Sequence, residues 1–190
     1  MGYFVIPADV AKTPEAEYAY YLNTIKPNMV EKNNVLKAEY TIFKNIKALK
    51  AGDSYQIGKG KFKVGDRVVL FIAPDSWSSQ NNQVKVSFSN YNQIFFTHTR
   101  INLDSGIKYH DQFDKFKGVQ FNTFYSADCK SMVLFFEDKH SQTGVDTDYN
   151  DVILSITDNL SGGEIESFTL PKYTIITTAG KPEIVASSTP

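Results

Sequence analysis

The sequence predicts an all-β chain, an antiparallel β-sandwich or jelly roll of about nine strands with one short N-terminal helix. Three observations point there. Apolar, strand-like runs return at roughly ten-residue intervals with turn residues between them. Aromatics make up 14% of the chain, including 14 Phe and 11 Tyr, and with frequent Val, Ile and Thr they suit the pleated, half-buried surface of a sheet. Arg67 to Ala73, RVVLFIA, is apolar without alternation, as expected of a central strand buried on both faces. At 190 residues the chain is long enough for one sizeable core. By pattern it divides into an N-terminal arm over 1–55 with the helix and a first strand, a sandwich core over 56–160, and C-terminal strands with an extended tail over 161–190.

Taken in order, Tyr3 to Ile6 is a short strand stopped by Pro7. Thr13-Pro14-Glu15-Ala16-Glu17 is a helix start: a capping hydroxyl, proline at the first helical position, acids in the first turn. Tyr18, Tyr21, Leu22 and Ile25 share one face, and the pattern ends the helix before Pro27. Val35 to Lys44 reads as a strand. Tyr55 to Lys63 reads as the end of one strand and the start of the next; its Gly58-Lys59-Gly60-Lys61 lacks the spacing of a phosphate-binding loop. Val84 to Phe88 alternates and so faces water on one side. Gln93 to Arg100 reads as a further strand, with His98 an ordinary facing residue. Val119 to Tyr125, Met132 to Phe136 and Val152 to Thr157 follow, then two strand pieces over Ile165 to Thr178 divided by Pro171. Gly180 to Pro190 is a polar tail.

Composition excludes several classes. A net charge of −1 and a pI near 6.3 give no global field for nucleic acid or an anionic membrane. No window approaches the roughly 18 apolar residues that span a bilayer. MGYFVIPADV lacks the basic start and long apolar run of a secretion signal, which points to the cytoplasm or a virion. The single Cys129 forms no internal disulfide and suits a small buried apolar position. There is no G-x-S-x-G, HExxH, CxxC or glycine-rich nucleotide loop, and the expectation is a non-enzyme.

One stretch stands apart. Between the runs Met132–Phe136 and Val152–Ile156, Glu137, Asp138, Asp146, Asp148 and Asp151 put five carboxylates into fifteen residues, against 21 acids in the whole chain. Lys139 is the only fixed opposite charge there. Crowded carboxylates repel by on the order of 1 kcal/mol per pair or more, and a hard cation with oxygen ligands relieves that. Asp146-x-Asp148-x-Asn150 has the every-second-residue spacing of half an EF-hand loop. The sixth position is Asp151 rather than Gly, the twelfth Thr157 rather than Glu, and the flanks are strands, so the geometry is not that of an EF-hand. Two readings stand: Glu137, Asp138, Asp146, Asp148, Asn150 and Asp151 close over a metal ion, or they form a solvated acidic turn. A glycosidase pair, Glu137 with Asp148 or Asp151, needs carboxylates about 5–10 Å apart across a sugar cleft; five clustered acids suit a cation better.

The pattern FED, a short Gly-containing loop, then D-x-D-Y-N-D-V resembles a widespread domain of unknown function found mostly in bacterial surface and secreted proteins, often beside other calcium-binding modules. Phe62-x-x-Gly65-Asp66 before an apolar strand is similar to that family's entry segment, and Asn102-x-Asp104-x-Gly106 with His110 to its middle segment. The resemblance spans about Phe62 to Thr157 and implies a β-sandwich that binds calcium through Glu137, Asp138, Asp146, Asp148, Asn150 and Asp151 and performs no known chemistry. About 60 residues precede the similar part, where surface proteins of the family usually carry long repeats. Asn102 and Asp104 either shape a turn through side-chain to backbone bonds or reach the ion. His110 suits a hydrogen bond to the acidic loop better than ligation of an oxygen-seeking ion. His140 reads as a solvated loop residue.

The functional expectation is a calcium-binding β-sandwich, a structural subunit of a larger assembly such as a virus or phage particle, with copies of itself or other structural subunits as partners and neither nucleic acid nor membrane insertion. The alternative is a calcium-dependent adhesion or carbohydrate-binding module of a bacterial surface protein, extracellular, with Trp77 and the tyrosine-rich N-terminal region as contacts. Trp77 has a plainer reading too, tucked over the end of a sandwich.

Overall fold

The computed structural model describes residues 1–50, 53–58, 62–86, 88, 94–102, 121–125, 131–136, 152–157, 173–178 and 181–186. Among these the chain is predominantly β, and every strand pairing is antiparallel. The first sheet is formed by β1 (Gly2–Ile6), β2 (Arg67–Ile72) and β5 (Phe95–Phe96), with β2 in the middle. A second sheet runs β6 (Phe121–Tyr125), β7 (Ser131–Phe136), β8 (Val152–Thr157) in that spatial order. The two-residue strands β3 (Trp77–Ser78) and β4 (Gln83–Val84) make a small hairpin, and β9 (Tyr173–Thr178) pairs with β10 (Lys181–Ala186).

Strand β2 is buried on both sides, because its side chains alternate between two apolar cores. Val69 and Phe71 enter one with Phe4, Ile6, Phe96, Tyr21, Ile25 and Met29. Leu70 and Ile72 enter the other with Met1, Phe95, Leu134 and Phe136. The first core thus joins the sheet to the N-terminal helical segment, and the second joins it to β7. Phe121, Met132, Val152, Leu154 and Ile156 pack around that second core from the other sheet. The first 50 residues therefore supply an edge strand and a covering layer to a sheet that later residues complete. Gly2 is required where β1 passes Tyr40 and Phe71, since a Cβ there would run into the Tyr40 carbonyl and the Phe71 ring.

Helix α1 (Pro14–Tyr20) begins as its sequence dictates. The Thr13 Oγ1 accepts from the Ala16 N–H at 3.2 Å, Pro14 opens the helix, and Glu15 and Glu17 lie in its first turn. Tyr21 and Ile25 are buried, and Tyr18 and Leu22 pack beside them. The helical path does not stop before Pro27. It passes through a π-helical turn, Tyr21–Ile25, in which the Lys26 N–H reaches the Tyr21 carbonyl, and then α2 (Lys26–Asn28) resumes with Pro27 at its start. The added residue in the turn starts a new helical register, and at the head of that register the missing proline N–H is no loss.

Four other sequence expectations give way. Val35 to Lys44 is not a strand; Asn33 and Asn34 have positive φ, Ala38–Tyr40 forms a 3₁₀ turn, and only isolated bridges tie Val35 to Lys85, Leu36 to Val30 and Thr41 to Gly2. Of the strand expected over Gln93 to Arg100, the described residues keep only Phe95–Phe96, because the chain turns at Thr97–His98 into α3 (Thr99–Asn102). Between Tyr55 and Lys63 the described residues hold no strand, and Gly58 sits at φ 68°. Within the polar tail, Lys181–Ala186 is a strand returning on β9 in register Lys181↔Thr178, with Pro182 tolerated on an edge. The alternation at Val84 holds in burial: Val84 and Val86 are buried and Lys85 is exposed.

Phe96 is the joint of the first core, its ring within 6.0 Å of Phe4, 5.3 Å of Tyr21 and 5.8 Å of Phe71, centroid to centroid. Phe96→Ala is expected to lower the unfolding free energy by about 3–5 kcal/mol, read from urea denaturation. A loss under about 1 kcal/mol would show that the helical layer and the sheet are not held through this ring.

Candidate functional site

The acidic connection leaves and re-enters the second sheet at one cross-strand pair. In the β7–β8 ladder Phe136 is the register partner of Val152, and the residues between them are 137–151. Paired Cα atoms in such a ladder stand about 4.5–5.5 Å apart. The stems are fixed from below: Phe136 is fully buried, and Val152 and Leu154 pack on the same core. The sequence-derived ligands Glu137, Asp138, Asp146, Asp148, Asn150 and Asp151 lie outside the described residues, as do Asp104, His110, Cys129 and His140. As donors the six are uniform, five carboxylates and one amide, all presenting oxygen to a cation. Among the described residues no three His, Cys, Asp or Glu side chains gather as a metal site requires.

The described candidates have structural occupations. Asn102 is fully buried and clamps the end of β5, its Oδ1 accepting from the Phe96 N–H at 2.7 Å and its Nδ2 donating to the Phe96 carbonyl at 2.9 Å. These bonds go to β5; the turn at 104–106 that the sequence reading had Asn102 shape lies outside the described residues. Trp77 is half-buried against the first core and pairs with Val84. His98 is not an ordinary facing residue. Its Nε2 lies 2.6 Å from Oε2 of Glu17, which also accepts from Arg67 Nη1 at 3.1 Å. Glu17 is 2% exposed, so one carboxylate in α1 ties the helix to the start of β2 and to the turn after β5. The sequence signal was thin: an acid on the inner face of an amphipathic helix, with partners 50 and 81 residues away.

The Gly65-Asp66 pair also has a defined task. Lys63 to Asp66 is a tight turn closed by the Asp66 N–H to the Lys63 carbonyl at 3.0 Å, with Gly65 at φ 88°. The Asp66 carboxylate accepts from the Lys63 N–H through Oδ2 and from the Ala8 N–H through Oδ1, both at 2.9 Å. It thus seats the chain leaving β1 against the chain entering β2. These two backbone donors, Lys63 first and then Ala8, hold its carboxyl below the ordinary value.

Residues 62–159, 98 of 190, match the family model described as Domain of unknown function (DUF4114). The chain belongs to the DUF4114 family. No curated protein and no solved structure matches it. The DUF4114 span opens at the turn that Gly65 and Asp66 build, takes in β2 to β8 and closes just beyond β8. The strand β1, the helical layer and the β9–β10 hairpin lie outside it. No helix among the described residues is long and apolar enough to cross a membrane.

Removing the Glu17 carboxylate strands a buried imidazole N–H, so Glu17→Ala is expected to cost about 1–3 kcal/mol. Arg67→Ala is expected to cost under about 1 kcal/mol, because that side chain is 54% exposed. Equal losses in chemical denaturation would contradict this ranking. For Asp66, a lowered folded pKa means stability present above the unfolded carboxylate range, near about 3.9, and lost as pH falls through the folded value. Asp66→Asn keeps one acceptor of two; it should be less stable than the parent at pH 7, with the gap closing below about pH 4. A gap that does not change with pH would sink this assignment.

Proposed function

We propose that this chain is a calcium-binding β-sandwich that serves, without catalysis, as a structural subunit of a larger assembly, most economically a virus or phage particle. One observation carries the reading: five carboxylates occupy a fifteen-residue connection whose two ends are a cross-strand pair. Repulsion between these groups bears directly on the β7–β8 ladder, and a hard cation offsets it. Glu137, Asp138, Asp146, Asp148, Asn150 and Asp151 would hold the ion; calcium accepts six to eight oxygens in irregular geometry. The sandwich reading is supported by the core shared between the two sheets, with Leu70, Ile72 and Phe95 from one and Leu134 and Phe136 from the other. A jelly-roll order of about nine strands is the matching topology for this strand-rich pattern. The ion's role is mechanical: it ties two strand ends together and fixes the connection as a contact surface for a neighbouring subunit. The adhesion or carbohydrate reading has less support, since Trp77 spends part of its face on the chain's own core.

Binding to the folded form alone stabilises it by roughly 2.7 kcal/mol at a hundredfold excess over Kd, or about 5–10 °C in melting temperature for a chain of this length. The melting point is therefore expected to rise by that amount in calcium relative to chelator. The rise should vanish in Asp148→Asn/Asp151→Asn, whose melting point in chelator should equal or exceed the parent's. An unchanged melting point for a protein shown to be metal-free removes the proposal.

A further inference from the structure

No further inference is drawn: the strongest candidate, the outer face of the second sheet, where cross-strand register brings the uncharged Phe124, Val133, Phe135 and Ile153 together, is an apolar face for which nothing in the structure shows what covers it.

Discussion

The two-sided burial of β2 is the constraint on which the remaining architecture depends. A strand with Val69 and Phe71 on one face and Leu70 and Ile72 on the other cannot be satisfied by a single covering layer. Each face must be closed by something apolar, and the chain closes them differently. The helical segment brings Tyr21, Ile25 and Met29 to one side; β7 brings Leu134 and Phe136 to the other. The family-matched span begins at residue 62, so it contains β2 and the second sheet but neither β1 nor the N-terminal helices α1 and α2. In this chain the first 50 residues provide the pairing for one edge of β2 and the cover for one of its faces. Cutting the chain at the family boundary would leave Val69, Phe71 and Phe96 facing water, and burial of each such side chain is worth about 1.5–3 kcal/mol.

Polar groups at this layered centre are few and individually placed. Glu17, His98 and Arg67 join helix, turn and strand through one carboxylate, and Asn102 replaces the ladder partner that β5 lacks beyond Phe96. Both devices do what an apolar contact cannot, fixing direction as well as proximity. A two-residue strand such as β5 has little ladder of its own, and an amide that satisfies both the N–H and the carbonyl of Phe96 extends it without another strand.

What could be read from the sequence follows from the range of the interactions responsible. The Thr13 cap, the Pro14 start and the inner helix face are set within a few residues, and all three stand. RVVLFIA announced a central strand because burial on both faces removes the alternation that water imposes. Val35 to Lys44 alternates only in part, and two asparagines with positive φ and a 3₁₀ turn bend the chain back onto β1 and β4 instead of extending it as a strand. Pro27 seemed a stop because a proline inside a regular helix costs about 3 kcal/mol; the preceding π turn removes the register in which that cost arises. The roles of Glu17 and Asn102 were invisible for a different reason. One has partners 50 and 81 residues away, and the other caps a strand end that exists only once the sheet has formed. The acidic connection was conspicuous by composition alone, and what the structure adds is its anchorage on the Phe136–Val152 pair.

That anchorage sharpens the electrostatic question. The strands β6, β7 and β8 contain no Asp, Glu, Lys or Arg in FNTFY, SMVLFF and VILSIT. The ladder therefore offers no cation along its length to balance five carboxylates at one end, and Lys139 within the connection balances one at most. Compensation then falls to basic residues elsewhere in the chain, to solvent ions, to a cation bound in place, or to a basic partner. Diffuse counterions around the connection screen over about 8–10 Å at ordinary ionic strength. They weaken the repulsion between its more distant groups far more than that between its nearest ones. A divalent ion acts at about 2.3–2.6 Å, where screening has no part. On the proposed reading this difference in range is why the acids are concentrated rather than dispersed: spacing them along the strands would serve solubility, whereas gathering them at the end of an uncharged ladder serves a bound ion.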